Sequence, residues 1–113
     1  MTDDKVREVL DRYETRIVQA VLPKLLTPEA ARTLHDPQLS HLLTMIPKMR
    51  NMLDMVQLVE YHQPDYAGIR AQREKLMRWL GFMQGVLHAK GIYSIDEMRA
   101  HNAPDGEALR ERD

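Results

Sequence analysis

The sequence predicts an all-α domain, a bundle of four to five helices, on three observations. Apolar residues recur at three- and four-residue spacings along several long runs. Helix-start signals recur between those runs: Thr27-Pro28-Glu29, Asp36-Pro37-Gln38 and Ser94-Ile95-Asp96-Glu97. The densest apolar stretch, Leu76 to Arg99, holds the only Trp (Trp79), the only Phe (Phe82) and three of the five glycines. That stretch is expected to be the central element around which the others pack.

The elements follow in chain order. Thr2, Asp3 or Asp4 caps a first helix whose core face is Val6, Leu10, Tyr13, Ile17, Ala20 and Val21. Pro23 is expected to end or kink it near Leu22, because proline lacks an amide donor and disfavours helix in the residue before it. Thr27-Pro28 then opens a short helix to about Leu34, and Asp36-Pro37 opens a long one. The long helix carries Leu39, Leu42, Ile46, Met49, Leu53 and Val56 on one face, with a kink or break expected at Pro47. Gln63-Pro64-Asp65 ends it and caps the next, from about Tyr66 to Lys90, which Gly91 closes in the left-handed conformation. Ser94 and Glu97 form a capping box for a last short helix ending near His101 or Asn102. Residues 1–102 thus read as one helical domain and residues 103–113 as a flexible tail.

Within the central helix, Gly81, Gly85 and Ala89 recur every fourth residue and stack into a groove. A glycine inside a helix costs about 1 kcal/mol relative to alanine. Two on one face therefore point to a helix crossing, within the chain or with a second copy. Arg78, Gln84, His88 and Lys90 interrupt the apolar run well short of the ~20 residues that span a bilayer, so no membrane span is expected.

The totals exclude further classes. Sixteen Lys and Arg against seventeen Asp and Glu give a net charge of −1, so no general attraction to polyanions follows. The absence of cysteine removes disulfides and thiolate chemistry. The opening MTDDKVREVLDRYE is charged throughout, unlike a secretory signal, and cytoplasmic residence is expected.

Met45, Met49, Met52 and Met55 line the long helix, and methionine is over-used on adaptable binding surfaces. Taken singly, each reads first as core. Taken together with the breadth of the apolar arc, they exceed what the remaining helices can cover. A protein partner or a homodimer, through the methionine face or the glycine groove, is the expected remedy. The histidines match no metal-ligand spacing: His35 and His41 are six apart, and Glu60 and His62 two apart, so no metal or cofactor is expected. No phosphate loop or nucleophile motif is present. Asp96 and Glu97 are explained by capping, and nothing brings Asp54 and Glu60 to a partner, so no catalytic residue is assigned. Arg70, Arg73, Lys75 and Arg78, with Lys48 and Arg50 on the helix before, form a basic cluster able to contact phosphates. A solvated face paired with acids such as Glu74 is the favoured reading of that cluster.

The string RWLGFMQGVLHAKGIYSIDEMRAHN, from Arg78 to Asn102, resembles the C-terminal signature of small proteins encoded by tailed phages and prophages. The matching positions include Gly81, Phe82, Gln84, Gly85, Gly91, Ser94, Arg99, His101 and Asn102. These proteins mostly have no assigned activity, so the resemblance implies a phage context and residence in the host cytoplasm. Gln84 is the one polar position that helical patterning leaves unexplained: it satisfies a backbone group at a helix crossing or contacts a partner, and it stands among the partner-binding candidates. The chain accordingly reads as a non-catalytic interaction module, a phage-encoded modulator or inhibitor of a host protein. The alternative is an accessory nucleic-acid-binding protein in phage replication, recombination or regulation.

Overall fold

Local chemistry sets where each helix begins. The computed structural model describes residues 1–25 and 36–103, the side chains of residues 22–25 excepted, and among these it holds four helices and no strand. They are α1 (Asp3–Leu25), α2 (Pro37–His62), α3 (Gly68–Ala89) and α4 (Ile95–Asn102). The short helix expected at Thr27–Leu34 lies outside the described residues.

Thr2 caps α1, its hydroxyl accepting the Lys5 amide at 3.1 Å. The helix then runs past Pro23 to Leu25 and does not end near Leu22 as expected. Proline removes a single helical bond there, and in the last turn few further bonds depend on it. Asp36 caps α2 by accepting from the Gln38 and Leu39 amides at 3.0 and 3.2 Å, with Pro37 in the first turn. At Pro47 α2 continues unbroken, with the ring on the exposed side.

Gln63 closes α2 through a bond from its amide to the Val59 carbonyl, but Asp65 does not cap α3. A turn intervenes, with the Tyr66 amide bonded to the Gln63 carbonyl, and α3 starts two residues later than expected, after Ala67. The far end of α3 follows the sequence closely. Gly91 takes φ +72°, its amide bonds to the His88 carbonyl, and the Ile92 amide bonds to the Leu87 carbonyl. That pair of bonds is a Schellman closure, which needs the left-handed residue glycine adopts most easily. The Ser94–Glu97 capping box then starts α4 with both of its bonds at 3.1 Å.

The core overturns the expected hierarchy of helices. α2, not α3, is central: it packs against both α1 and α3, while α4 rests on α1. α2 buries Leu39, Leu42, Met45, Ile46, Met49, Leu53 and Val56, whereas α3 buries only Leu76, Leu80, Met83 and Leu87. α1 adds Val6, Val9, Leu10, Tyr13 and Ile17 to the same cluster. With each buried aliphatic side chain stabilising by about 1.5–3 kcal/mol, the helix that buries most apolar groups organises the rest. The outer face of α3 is open. Gly81, Gly85 and Ala89 are exposed, and a Cβ at either glycine would meet nothing within 4 Å. No described element of the chain crosses α3 at that groove.

Candidate protein-interaction face

The four methionines of α2 divide between two directions. Met49 is fully buried in the core and is unavailable to a partner, which corrects the expectation for it. Met45, at 7% exposure, also belongs to the core cluster, which corrects the expectation for it too, while Met52 is half-buried against that core and Met55 is 52% exposed. These three share a stripe on α2, formed by His41, Met45, Lys48, Met52, Met55 and Val59 at spacings of four, three, four, three and four. A second stripe with the same spacing runs along α3 through Gly68, Gln72, Lys75, Trp79, Phe82 and Val86. Such spacing holds a row of side chains on one side of a helix.

The two stripes meet along one seam of the α2–α3 pair, and two clefts open on it. Toward the α2–α3 turn, a cleft of about 320 Å³ is lined by Met52, Met55, Val56, Val59, Tyr66 and Ile69, with Asn51, Gly68 and Gln72 at its edge. Toward the other end, an open cleft of about 260 Å³ is lined by His41, Met45, Lys48, Trp79 and Phe82. Phe82 is 54% exposed and Tyr66 56% exposed, so the rim of the seam is apolar as well as its floor. Lys75 stands over the Trp79 ring at 5.4 Å. Sequence reading singled out the methionines but not Ile69, Tyr66, Trp79 and Phe82 as their facing residues. The signal was present in the matched spacing of the two helices, which shows only once they are paired.

Gln84 faces inward, against the expectation that it contacts a partner. Its Nε2 donates to the Tyr13 hydroxyl at 3.0 Å and to Asn102 Oδ1 at 2.6 Å, and Asn102 Nδ2 donates back to Gln84 Oε1 at 3.3 Å. The Tyr13 hydroxyl also meets His101 Nδ1 at 3.2 Å. Tyr93 packs edge-on against His101 and tilted against Tyr13, with ring centroids 4.7 and 5.4 Å apart. Helices α1, α3 and α4 are therefore joined by one polar cluster. No buried side-chain polar atom among the described residues lacks a bond. Burial pushes the Tyr13 phenol up to about 12, the Gln84 bond opposing that shift. A cleft of about 610 Å³ opens beside this cluster between Arg12, Tyr93 and α4. Of its carboxylates, Glu97 is committed to its cap, whose backbone bond holds its carboxyl below the usual range, and Asp96 lies 3.9 Å from Arg99.

The basic cluster is dispersed by its partners. Arg73 bonds Asp3 and, at 2.7 Å, Glu60, so two carboxylates already hold it. Its guanidinium keeps the Asp3 carboxyl below the usual range, and the two carboxylates raise its own pKa. Arg70 pairs with Glu74 one helical turn away at 3.3 Å, and Arg50 bridges Asp11 and Glu14 on α1. Arg78 remains exposed on the outer face of α3 and makes no ion pair among the described residues. Asp54 and Glu60 are held by Arg7 and Arg73 respectively, so neither is brought toward the other. No group of three or more His, Cys, Asp or Glu that could hold a metal gathers among the described residues. No helix among them is long and apolar enough to cross a membrane.

Compared with protein-family models, with curated proteins and with solved structures, the chain matches none.

Proposed function

We propose that the chain is a non-catalytic protein-interaction module that docks a partner on the α2–α3 seam. One observation carries this reading: the seam leaves Met55, Tyr66 and Phe82 about half exposed, beside Met52 and Trp79, which are partly buried against the core. Contiguous exposed apolar surface marks interaction sites more often than scattered apolar residues do. The phage context implied by the Arg78–Asn102 signature makes a modulator or inhibitor of a host protein the role that fits best. A homodimer is the other arrangement in which such a face is covered, either here or across the open Gly81–Gly85 groove.

The test compares capture of bacterial proteins by the wild-type chain, by Met55→Asp and by Arg78→Glu. The reading predicts that Met55→Asp loses the captured protein while circular dichroism and melting temperature stay unchanged. Arg78→Glu, on the far face, should retain it. Loss through Arg78→Glu with retention by Met55→Asp would move the binding surface to the basic face of α3 and revive the nucleic-acid alternative.

A further inference from the structure

We infer that the seam takes an acidic amphipathic helix of a partner protein, laid along α2 and α3 as an added helix of the bundle. This rests on the docking reading above and adds the shape and charge of what docks.

Shape comes first. Two helices with matched four-three stripes cradle a third between them, as knobs entering holes. α2 already packs against α1 on another of its faces, so the seam offers a further helix position next to the same pair. From His41 to Val59 the stripe takes eighteen residue steps, about 27 Å at 1.5 Å per residue. An occupant of about five turns reaches both clefts. The methionines suit such a guest because unbranched side chains adapt to a foreign apolar face.

Charge is the second argument. Among the described lysine side chains, Lys5 bonds Glu8 and Lys90 bonds Asp36. Lys48 and Lys75 have no carboxylate partner among the described residues, and both stand on the seam. Among the described residues, no Asp or Glu lines either cleft. The acids of the same two helices, Asp54, Glu60 and Glu74, are each already held by an arginine. Among the described residues the seam is thus an apolar channel with positive charge and no negative charge, complementary to a helix with carboxylates beside its apolar face. A nucleic acid fits it less well, because successive bases need a row of aromatic faces and a basic track. Here Tyr66, Trp79 and Phe82 are interspersed with methionine, valine and isoleucine, and two lysines do not make a continuous basic track.

The probe is a set of eighteen-residue synthetic helices sharing one leucine face, flanked by Glu, by Gln or by Lys. Trp79, the only tryptophan, reports binding by its emission, and labelled peptides report it by anisotropy. The acidic peptide should bind about tenfold more tightly than the Gln peptide, and binding should weaken with salt. Lys48→Glu/Lys75→Glu should reverse the order, favouring the Lys peptide, with melting temperature unchanged. Equal binding of all three peptides, abolished by Met55→Asp, would overturn the charge assignment and leave the docking face standing. If no peptide binds, the helix-guest proposal fails. If, in addition, Met55→Asp captures the same host proteins as wild type, the docking reading fails with it. Tighter binding of a single-stranded oligonucleotide, or a concentration-dependent dimer abolished by Met55→Asp, would each replace the acidic helix by another occupant.

Discussion

Gln84 and Asn102 clasp each other's carboxamides, with Gln84 Nε2 on Asn102 Oδ1 at 2.6 Å and Asn102 Nδ2 returning a bond at 3.3 Å. The clasp ties the last residue of α4 to the C-terminal part of α3, and the Tyr13 hydroxyl extends it to α1. Replacing Gln84 by Leu leaves Asn102 and Tyr13 each short of a partner and should cost about 1–3 kcal/mol. Asn102→Leu should cost a similar amount. Because both changes break the same contact, the double variant should fall well short of their sum. Urea denaturation of the four proteins measures the coupling, and full additivity would show that the clasp is not formed in solution.

Tyr13 makes stability sensitive to alkali. The unfolded phenol ionises near pH 10, whereas burial holds the folded one up at about 12. Folding therefore favours the protonated form. Its contribution is complete below pH 10 and is lost as pH rises through 12. The melting temperature should fall across that window, and Tyr13→Phe should flatten the fall while lowering stability at neutral pH. Burial also raises Tyr93, which packs against Tyr13, so the 295 nm titration should show two late phenols.

Acid acts through Asp3. The Arg73 hydrogen bond, foremost, holds this carboxyl below its usual value, and the Gln57 bond adds to the effect. The stabilisation is present above the ordinary carboxylate pKa and is lost as pH falls through the lowered one. Asp3→Asn should therefore reduce stability at pH 7 and little at pH 2, by thermal melts at each pH. The group is partly solvated, so the loss should be modest, about 1 kcal/mol.

The methionines offer a direct contrast. Met49→Ala opens a cavity in the core and should cost about 2–5 kcal/mol. Met55→Ala removes a side chain already half in solvent and should stay within about 0.5 kcal/mol. Comparable losses at the two sites would place Met55 in the core and close the seam.

The glycines of α3 make a prediction of the opposite sign. Gly81→Ala and Gly85→Ala each have room for a methyl group, and each should stabilise the isolated chain by about 1 kcal/mol. Gly91→Ala places a side chain at φ +72° and should destabilise by about 1 kcal/mol. If a second copy packs on the groove, the first two variants should instead weaken association in sedimentation measurements.

What the sequence disclosed was whatever depends on near neighbours. The Asp36 cap, the Ser94–Glu97 box and the Gly91 closure are each decided within a few residues, and each stands where the sequence placed it. Asp65 misled because it could cap the helix only if the helix began at Tyr66, whereas a turn intervenes and α3 begins at Gly68 with no side-chain cap. The ranking of helices was hidden for another reason. Trp79 and Phe82 made Leu76–Arg99 look central, but aromatic density does not say which side of a helix finds a neighbour. Gln84 was opaque because its partners lie 71 and 18 residues away, beyond any local pattern. The split among the methionines was opaque too, since Met49 and Met52 are adjacent on the helix surface and only the position of α1 and α3 separates core from seam.

Pro47 has no amide to offer the carbonyl of Leu43, so the ladder of α2 lacks one rung near its midpoint, on the side away from the core. A rod gives way first where a rung is missing. The gap falls between Met45, in one cleft, and Met52, in the other. A guest with a slight curve can thus be met by a slight flexing of the host at Pro47, without disturbing the residues that anchor either end of α2.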